Sequence, residues 1–252
     1  MHAASLPISI SALPAHALLL AALFAGTLQT APPPSAKPPA AKPLATPLAT
    51  RPAAEAIEIV VERKLPDGHA EPMLPTHVFA AGDTIRLRVV SQFDGYLYVM
   101  DQGTTGQFST VFPSLAAGSD NHVRRGNSYL IPSTDDGWFQ ITGPAGFDVL
   151  YFLLSPETIV SPTAASFVAP GPISSLKPRC NDAAFRARGE CTDVSAGPVA
   201  LPKDAPLPAP LAPIAGAASR DITVVKKKDG VTVTSDGPKT APVLYTFRLA
   251  HN

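Results

Sequence analysis

The chain has 252 residues, with 20 basic and 20 acidic side chains and a formal net charge of zero. This balance, with no basic stripe, argues against a nucleic-acid-binding surface. Most of the 29 prolines lie in two blocks, residues 32–52 and 156–213, where each ring fixes φ and removes a hydrogen-bond donor. The composition therefore predicts one core of about a hundred residues, flanked by extended segments.

The N-terminal region has the features of an export signal followed by a linker. The apolar run AHALLLAALFAG at residues 15–26 is shorter than the roughly 20 residues of a membrane span and is typical of a secretory signal. Residues 1–31 contain no Lys or Arg, so a retained N-terminal membrane anchor is the alternative to a signal peptide. Residues 32–54 are predicted to be a Pro/Ala-rich, semi-rigid linker.

Residues 55–156 are predicted to form a β-sandwich domain. Apolar and polar residues alternate over residues 84–89, as in a half-buried strand. Asp94-Gly95 and the strand-like residues 96–99 follow, which predicts a β-hairpin. About seven short strands at this spacing predict an all-β fold, an antiparallel β-sandwich, with residues 148–154 as a central strand. The predicted core includes Leu87, Val89, Leu97, Val99, Leu150 and Phe152.

Several short motifs of this region resemble those of a bacterial family when taken in order. They include Gly82-Asp83, residues 94–99, Val111-Phe112-Pro113, Ile131-Pro132 and residues 143–146. Over about residues 75–156, the chain resembles the family known as domain of unknown function four-three-eight-four. Members are typically exported or attached to signalling and envelope proteins. The resemblance implies an accessory sensing or interaction module without known catalysis.

Residues 157–220 are predicted to be a Pro-rich segment with a disulfide loop. Cys180 and Cys191 are the only cysteines, and a close pair in an exported chain predicts a disulfide. One or two helical turns are expected within the loop. A metal pair lacks nearby His ligands, and the spacing is not that of a C-x-x-C redox site. Residues 195–218 are predicted to be a second linker.

Residues 221–252 are predicted to be C-terminal β-strands. Two of them flank Asp229-Gly230, a pair that favours a tight hairpin turn, and residues 243–249 give a third. Three strands alone are marginally stable. They are therefore expected to pack on the main sandwich or on a partner.

No sequence motif indicates catalysis or a cofactor. The chain has no G-x-S-x-G nucleophile elbow and no phosphate-binding glycine loop, so we predict that it is not an enzyme and carries no cofactor or metal. Five aspartates are interpreted as turn residues, with calcium ligation as the less favoured alternative. They are Asp83, Asp94, Asp101, Asp135 and Asp136.

Recognition is predicted on loops and on an aromatic strand face. Loops on a rigid scaffold often carry binding residues, and alternate residues of one strand share a face. The sequence favours a periplasmic or extracellular interaction or sensing module of the cell envelope, with an unknown envelope protein or glycan as partner. A glycan- or peptidoglycan-binding domain is the alternative, and a hydrolase has less support. The candidate binding surface consists of Tyr96, Tyr98, Thr104, Thr105, Gln107 and Trp138.

Overall fold

The computed structural model describes residues 55–113, 120–134, 137–159, 167–168, 176–180, 183–188, 190–214 and 216–252. The predicted signal and first linker lie outside these ranges. In the described ranges, no helix has both the length and the apolar character needed to cross a membrane.

The described residues form fifteen strands and little helix. In chain order the strands are β1 (Ala56–Lys64), β2 (Ala70–Met73), β3 (Val78–Phe79), β4 (Thr84–Ser91), β5 (Gly95–Gln102), β6 (Gln107–Phe112), β7 (His122–Val123), β8 (Ser128–Ile131), β9 (Phe139–Gln140), β10 (Gly146–Ser155), β11 (Phe167–Val168), β12 (Gly197–Val199), β13 (Ile222–Lys226), β14 (Val231–Ser235) and β15 (Val243–His251). The helices are α1 (Ala183–Ala187) and a 3₁₀ helix at Ala209–Ile214.

The strands form two sheets, which confirms the predicted all-β sandwich. The first sheet has the order β13-β14-β1-β4-β8, with β2 paired to β1 and β9 paired to β4. The second has the order β11-β6-β5-β10-β15-β12, with β3 paired to β15 and β7 paired to β5. Among these strands only β3 and β15 run parallel. As predicted, β10 is central, because β5 and β15 flank it.

The main core lies between the inner faces of the two sheets. Alternation along β4 buries Leu87 and Val89, and alternation along β5 buries Leu97 and Val99. Leu150 and Phe152 of β10 join the same cluster. All six predicted core residues are at most 3% exposed, which confirms their assignment.

The predicted hairpin between β4 and β5 is wrong, because the two strands belong to different sheets. The chain crosses between the sheets at residues 92–94, where Phe93 is buried and Ser91 Oγ donates a 2.6 Å hydrogen bond to the Phe93 carbonyl oxygen. A Cβ at Gly95 would lie 2.6 Å from both the Phe93 ring and the Ser155 carbonyl oxygen. The Asp-Gly pair thus permits a close crossing between layers instead of a two-strand turn.

The C-terminal strands are integral to the sandwich. The predicted hairpin of β13 and β14 is confirmed, and the Lys227 N–H donates a 2.9 Å hydrogen bond to the Gly230 carbonyl oxygen at its turn. Strand β14 pairs with β1 in the first sheet. Strand β15 pairs with β10 and β12 in the second sheet. The last 32 residues therefore contribute to both sheets.

The outer face of the second sheet is covered by a proline-rich strap, residues 201–214 and 216–218. Its Leu211 is buried in a second apolar cluster, against residues such as Tyr98, Tyr151 and Leu244. The prediction of a linker over residues 195–218 is therefore wrong. Residues 209–214 of this segment form a 3₁₀ helix, and its leucines and isoleucine supply an apolar side that packs.

The disulfide between Cys180 and Cys191 is confirmed. Helix α1 lies between the two cysteines, as expected for the enclosed turns. Shortly after Cys191, Asp193 accepts hydrogen bonds from the backbone N–H groups of Arg179 and Ser195, at 2.7 and 2.8 Å. This carboxylate thereby fixes the loop against the segment that leads into β12.

Candidate ligand-binding pocket

A pocket of about 210 Å³ lies between the two sheets, where β5 ends and β10 begins. The first sheet contributes Ile85, Leu87 and Phe139 to its lining, and the second contributes Asp101, Asp148 and Leu150. The pocket therefore combines an apolar floor with two carboxylates from neighbouring strands.

Strand alternation explains why both carboxylates point between the sheets. Leu97 and Val99 face the core, so Asp101 continues the same face of β5. On β10, Asp148 precedes the inward-facing Leu150 in the same way. The prediction that Asp101 is a turn residue is thus wrong, because Asp101 lies within β5 and lines the pocket.

Asp148 has two neighbours that hold it in place. Its Oδ1 accepts a 2.9 Å hydrogen bond from the Thr104 backbone N–H. The same oxygen lies 3.4 Å from Nε2 of His251, whose side chain is fully buried. Neither ring nitrogen of His251 makes a hydrogen bond within the described residues.

Asp101 differs from Asp148 because its buried oxygen lacks a partner. The residue as a whole is half-buried, but its Oδ1 has no exposed surface and no hydrogen bond within the described part of the chain. Burial and, as a smaller cause, the charge of Asp148 together raise the pKa of Asp101 to about 7. At neutral pH this carboxyl group is close to half-ionised.

Three of the predicted surface residues lie at this pocket. Thr104, Thr105 and Gln107 all line the pocket. Thr104 is buried, whereas Thr105 and Gln107 are exposed at its edge. Gly146 allows Thr104 to approach, since a Cβ there would lie 2.6 Å from Thr104 Cγ2.

The tyrosine face does not form an exposed platform, which corrects that part of the predicted surface. Tyr98 is 4% exposed in the cluster under the strap. Its hydroxyl donates to the Ile159 carbonyl oxygen at 2.7 Å and accepts from the Ile159 N–H at 3.0 Å. Tyr96 is half-buried and packs edge-on against His122, with ring centroids 5.2 Å apart. The alternation was assigned correctly, but the strap buries the face it defines.

Trp138 lies outside the pocket, under two cationic side chains. The guanidinium carbon of Arg86 is 4.3 Å from the indole centroid, and Lys64 Nζ is 5.6 Å away. Glu62 holds Arg86 at 2.7 Å and Arg88 at 2.6 Å. Burial alone would raise the pKa of Glu62, but its hydrogen bonds with Arg88 and Arg86 outweigh this and lower it. A sugar ring stacking on this indole would compete with Arg86.

Metal ligation receives no geometric support in the described ranges. There, no three His, Cys, Asp or Glu side chains are arranged to hold a metal ion. Two of the five predicted turn aspartates, Asp135 and Asp136, lie outside those ranges.

A match to a known protein family includes the two carboxylates of the pocket. Residues 78–158 match the family model described as domain of unknown function (DUF4384). The predicted resemblance is thereby confirmed, over less than half of the chain. The DUF4384 match runs from β3 through β10 and includes Asp101 and Asp148, but not β1, β14 or β15. No curated protein and no solved structure matches the chain.

Sequence patterns contain a signal for part of this site. Extending the alternation of Leu97 and Val99 by two residues reaches Asp101, and the same step back from Leu150 reaches Asp148. His251 is separated from Asp148 by about a hundred residues, and only the pairing of β10 with β15 brings them together. No local pattern could have predicted that contact.

Proposed function

We propose that this chain is an exported, non-enzymatic module of the bacterial cell envelope that binds a small ligand in the pocket between its sheets. Sensing or interaction would follow from that binding. The observation that carries the proposal is the buried, unpartnered Oδ1 of Asp101 in a cavity lined from both sheets. A buried carboxylate without a partner is unfavourable for folding alone, which supports a role in binding.

The size and lining of the pocket favour a small molecule. Its volume of about 210 Å³ is below the ~300–1,000 Å³ of pockets for drug-sized ligands. Several apolar side chains and a few converging polar groups are the usual composition of such sites. Exposed Thr105 and Gln107 at the edge leave the pocket open to solvent.

Export is supported by the disulfide and by the apolar run at residues 15–26. We expect protein from the periplasm or medium to lack about the first 25–31 residues, a usual signal length, when its intact mass is measured. It should contain no free thiol before reduction. Full-length protein in the cytoplasm with two titratable thiols would contradict export.

Filling the pocket should abolish ligand binding without unfolding the domain. We expect Gln107→Trp to place an indole at the exposed edge of the cavity, with a change in unfolding free energy within about 0.5 kcal/mol. Small molecules extracted from the cell envelope should raise the melting temperature of the wild type but not of this variant. Ligands retained by the wild type can be identified by mass spectrometry.

Thr240→Trp is the matched control, because Thr240 is exposed in a turn and does not line the pocket. It should respond to the extract as the wild type does. If Gln107→Trp responds equally, recognition lies elsewhere. Peptidoglycan capture that survives Gln107→Trp but is lost in Trp138→Ala would instead favour the glycan-binding alternative.

A further inference from the structure

The pocket has two acidic groups and no fixed cation. Asp101 and Asp148 face it from the adjacent strands β5 and β10. Among the described residues that line it, none is a lysine or an arginine. His251 contacts Asp148 from β15 at 3.4 Å and is the one histidine at this site within the described ranges. The charge that would complement this site must therefore come from a ligand.

The hydrogen-bonding capacity of the two carboxylates is unequally used. Asp148 Oδ1 is occupied by the Thr104 N–H, whereas the buried Asp101 Oδ1 has no partner in the described structure. A positively charged group with several N–H donors could approach the Asp101 carboxyl group from the pocket that it lines, and would reduce the repulsion between the carboxylates. A primary ammonium has three such donors and no acceptor.

The remaining lining is suited to an aliphatic chain. Val111 and Phe139 line the pocket together with the carboxylates and are only partly buried, so they offer apolar surface to a ligand. A neutral polar ligand would bury little of this apolar surface, and the two carboxylates would repel an anion. A short alkyl chain removes it from water, at about 25 cal/mol per Å² of apolar area.

We infer that the pocket binds a short aliphatic primary amine, with its ammonium group at Asp101 and Asp148 and its alkyl chain against Val111 and Phe139. This inference rests on the proposed function, because it names the ligand class of the same pocket. It also makes binding dependent on pH. The amine stays protonated well above neutrality, while Asp101, with its pKa of about 7, gains its charge as the pH rises.

Asp148 is the charged group that acts on Asp101, and it disfavours ionisation of Asp101. The first sheet contributes Ile85, Leu87, Phe139 and Gln140, none of which titrates. Affinity for an amine should thus increase with pH between 6 and 8.

An NMR titration of the full chain with n-pentylamine tests the inference. We expect backbone signals of pocket residues to shift, with about tenfold tighter binding at pH 8 than at pH 6, following the ionised fraction of Asp101. Asp101→Asn and Asp148→Asn should each weaken binding by at least about tenfold, the loss of a charge-assisted contact. In Asp101→Asn the pH dependence should largely disappear.

Matched probes and a matched variant separate the alternatives. The probes 1-pentanol and pentanoate have the same chain length without the positive charge, and both should bind at least about tenfold more weakly. Asp204→Asn removes an exposed carboxylate away from the pocket and should bind pentylamine as the wild type does.

Two results would overturn the amine inference. One is binding of pentanol or pentanoate in the pocket as tight as that of pentylamine, which would leave the small-ligand proposal intact. The other is no pentylamine-induced shift of pocket signals at any pH. The pocket itself is judged independently by the Gln107→Trp extract experiment, so failure of the ligand class and failure of the site are distinguishable.

Discussion

A chain that ends at Pro242 should show no cooperative unfolding transition, because it lacks β15. Val243, Tyr245 and Phe247 point into the main core and are at most 1% exposed. On the opposite face, Leu244 is buried in the cluster covered by the strap. Replacing one such Phe by Ala costs about 3–5 kcal/mol, and a whole domain has about 5–15 kcal/mol of stability. Loss of the entire strand therefore exceeds the available stability.

The backbone of β15 adds to this effect. Nine residue pairs join it to β10, from Gly146 opposite His251 to Leu154 opposite Val243. Without β15, the long apolar strand β10 becomes a sheet edge with unpaired N–H and C=O groups. Circular dichroism during urea titration, together with size-exclusion chromatography, should reveal an unfolded or aggregated chain. A truncated monomer with a sharp transition would contradict this prediction.

A pair of point variants gives a graded version of the same experiment. Leu244→Ala removes a fully buried side chain and should cost about 2–5 kcal/mol. Leu130→Ala is the matched control, because Leu130 of β8 is 37% exposed. Its cost should stay below about 1 kcal/mol, the range of substitutions outside the core. Equal effects of the two variants would show that β15 is not part of the cooperative core.

The sequence predicts the strands of this fold better than it predicts their pairing, and the pairing of β15 with β10 is an example. Alternation is a local property, so the strands at residues 57–63, 108–112 and 148–154 could be placed correctly. Pairing is not local. Strand β1 pairs with β2, β4 and β14, and β10 pairs with β5 and β15. No residue pattern within a strand specifies these neighbours. The misassigned hairpin at Asp94-Gly95 has the same origin, since crossing to the other layer and turning back within one layer use similar residues.

Composition was misleading where prolines coexist with regularly spaced apolar residues. The strap was predicted to be a linker because its prolines exclude helices and central strands. Proline does not exclude packing, and Leu211 is 1% exposed against the second sheet. The same strap converts Tyr98 from a candidate surface residue into a buried one. Whether a proline-rich segment packs is therefore better judged by the spacing of its apolar residues than by its proline content.

The candidate site imposes a stability cost that should be visible in the pH dependence of unfolding. Burial, followed by the charge of Asp148, raises the pKa of Asp101 from 3.8 to about 7. The folded state therefore favours protonated Asp101. The resulting contribution to the free energy of unfolding is fully present below pH 4. It is lost as the pH rises to about 7, because the folded state must then hold an ionised buried carboxylate. Burial also raises the pKa of Glu55 to about 7, so two groups lower stability over the same range.

Replacing Asp101 by Asn should remove its share of this loss, because Asn has a similar shape and no charge. Relative to wild type, Asp101→Asn should gain stability between pH 4 and pH 8 by up to about 4 kcal/mol, since one pKa unit corresponds to about 1.4 kcal/mol. The Asp101→Asn variant should still show the part of the stability loss that is due to Glu55. A stabilising substitution that weakens binding is the behaviour expected where a residue is retained for function.

Urea titrations at pH 4 and pH 8 measure this difference directly, with Asp204→Asn as the control for loss of an exposed carboxylate. The control should follow wild type at both values. Adding Glu55→Gln to Asp101→Asn should remove the remaining loss of stability with rising pH, since both raised carboxyl groups are then absent. If Asp101→Asn and wild type lose stability equally between pH 4 and pH 8, then Asp101 ionises without penalty. It would then have a hydrogen-bond donor or cation in solution, and its role as the free acceptor of the pocket would have to be abandoned.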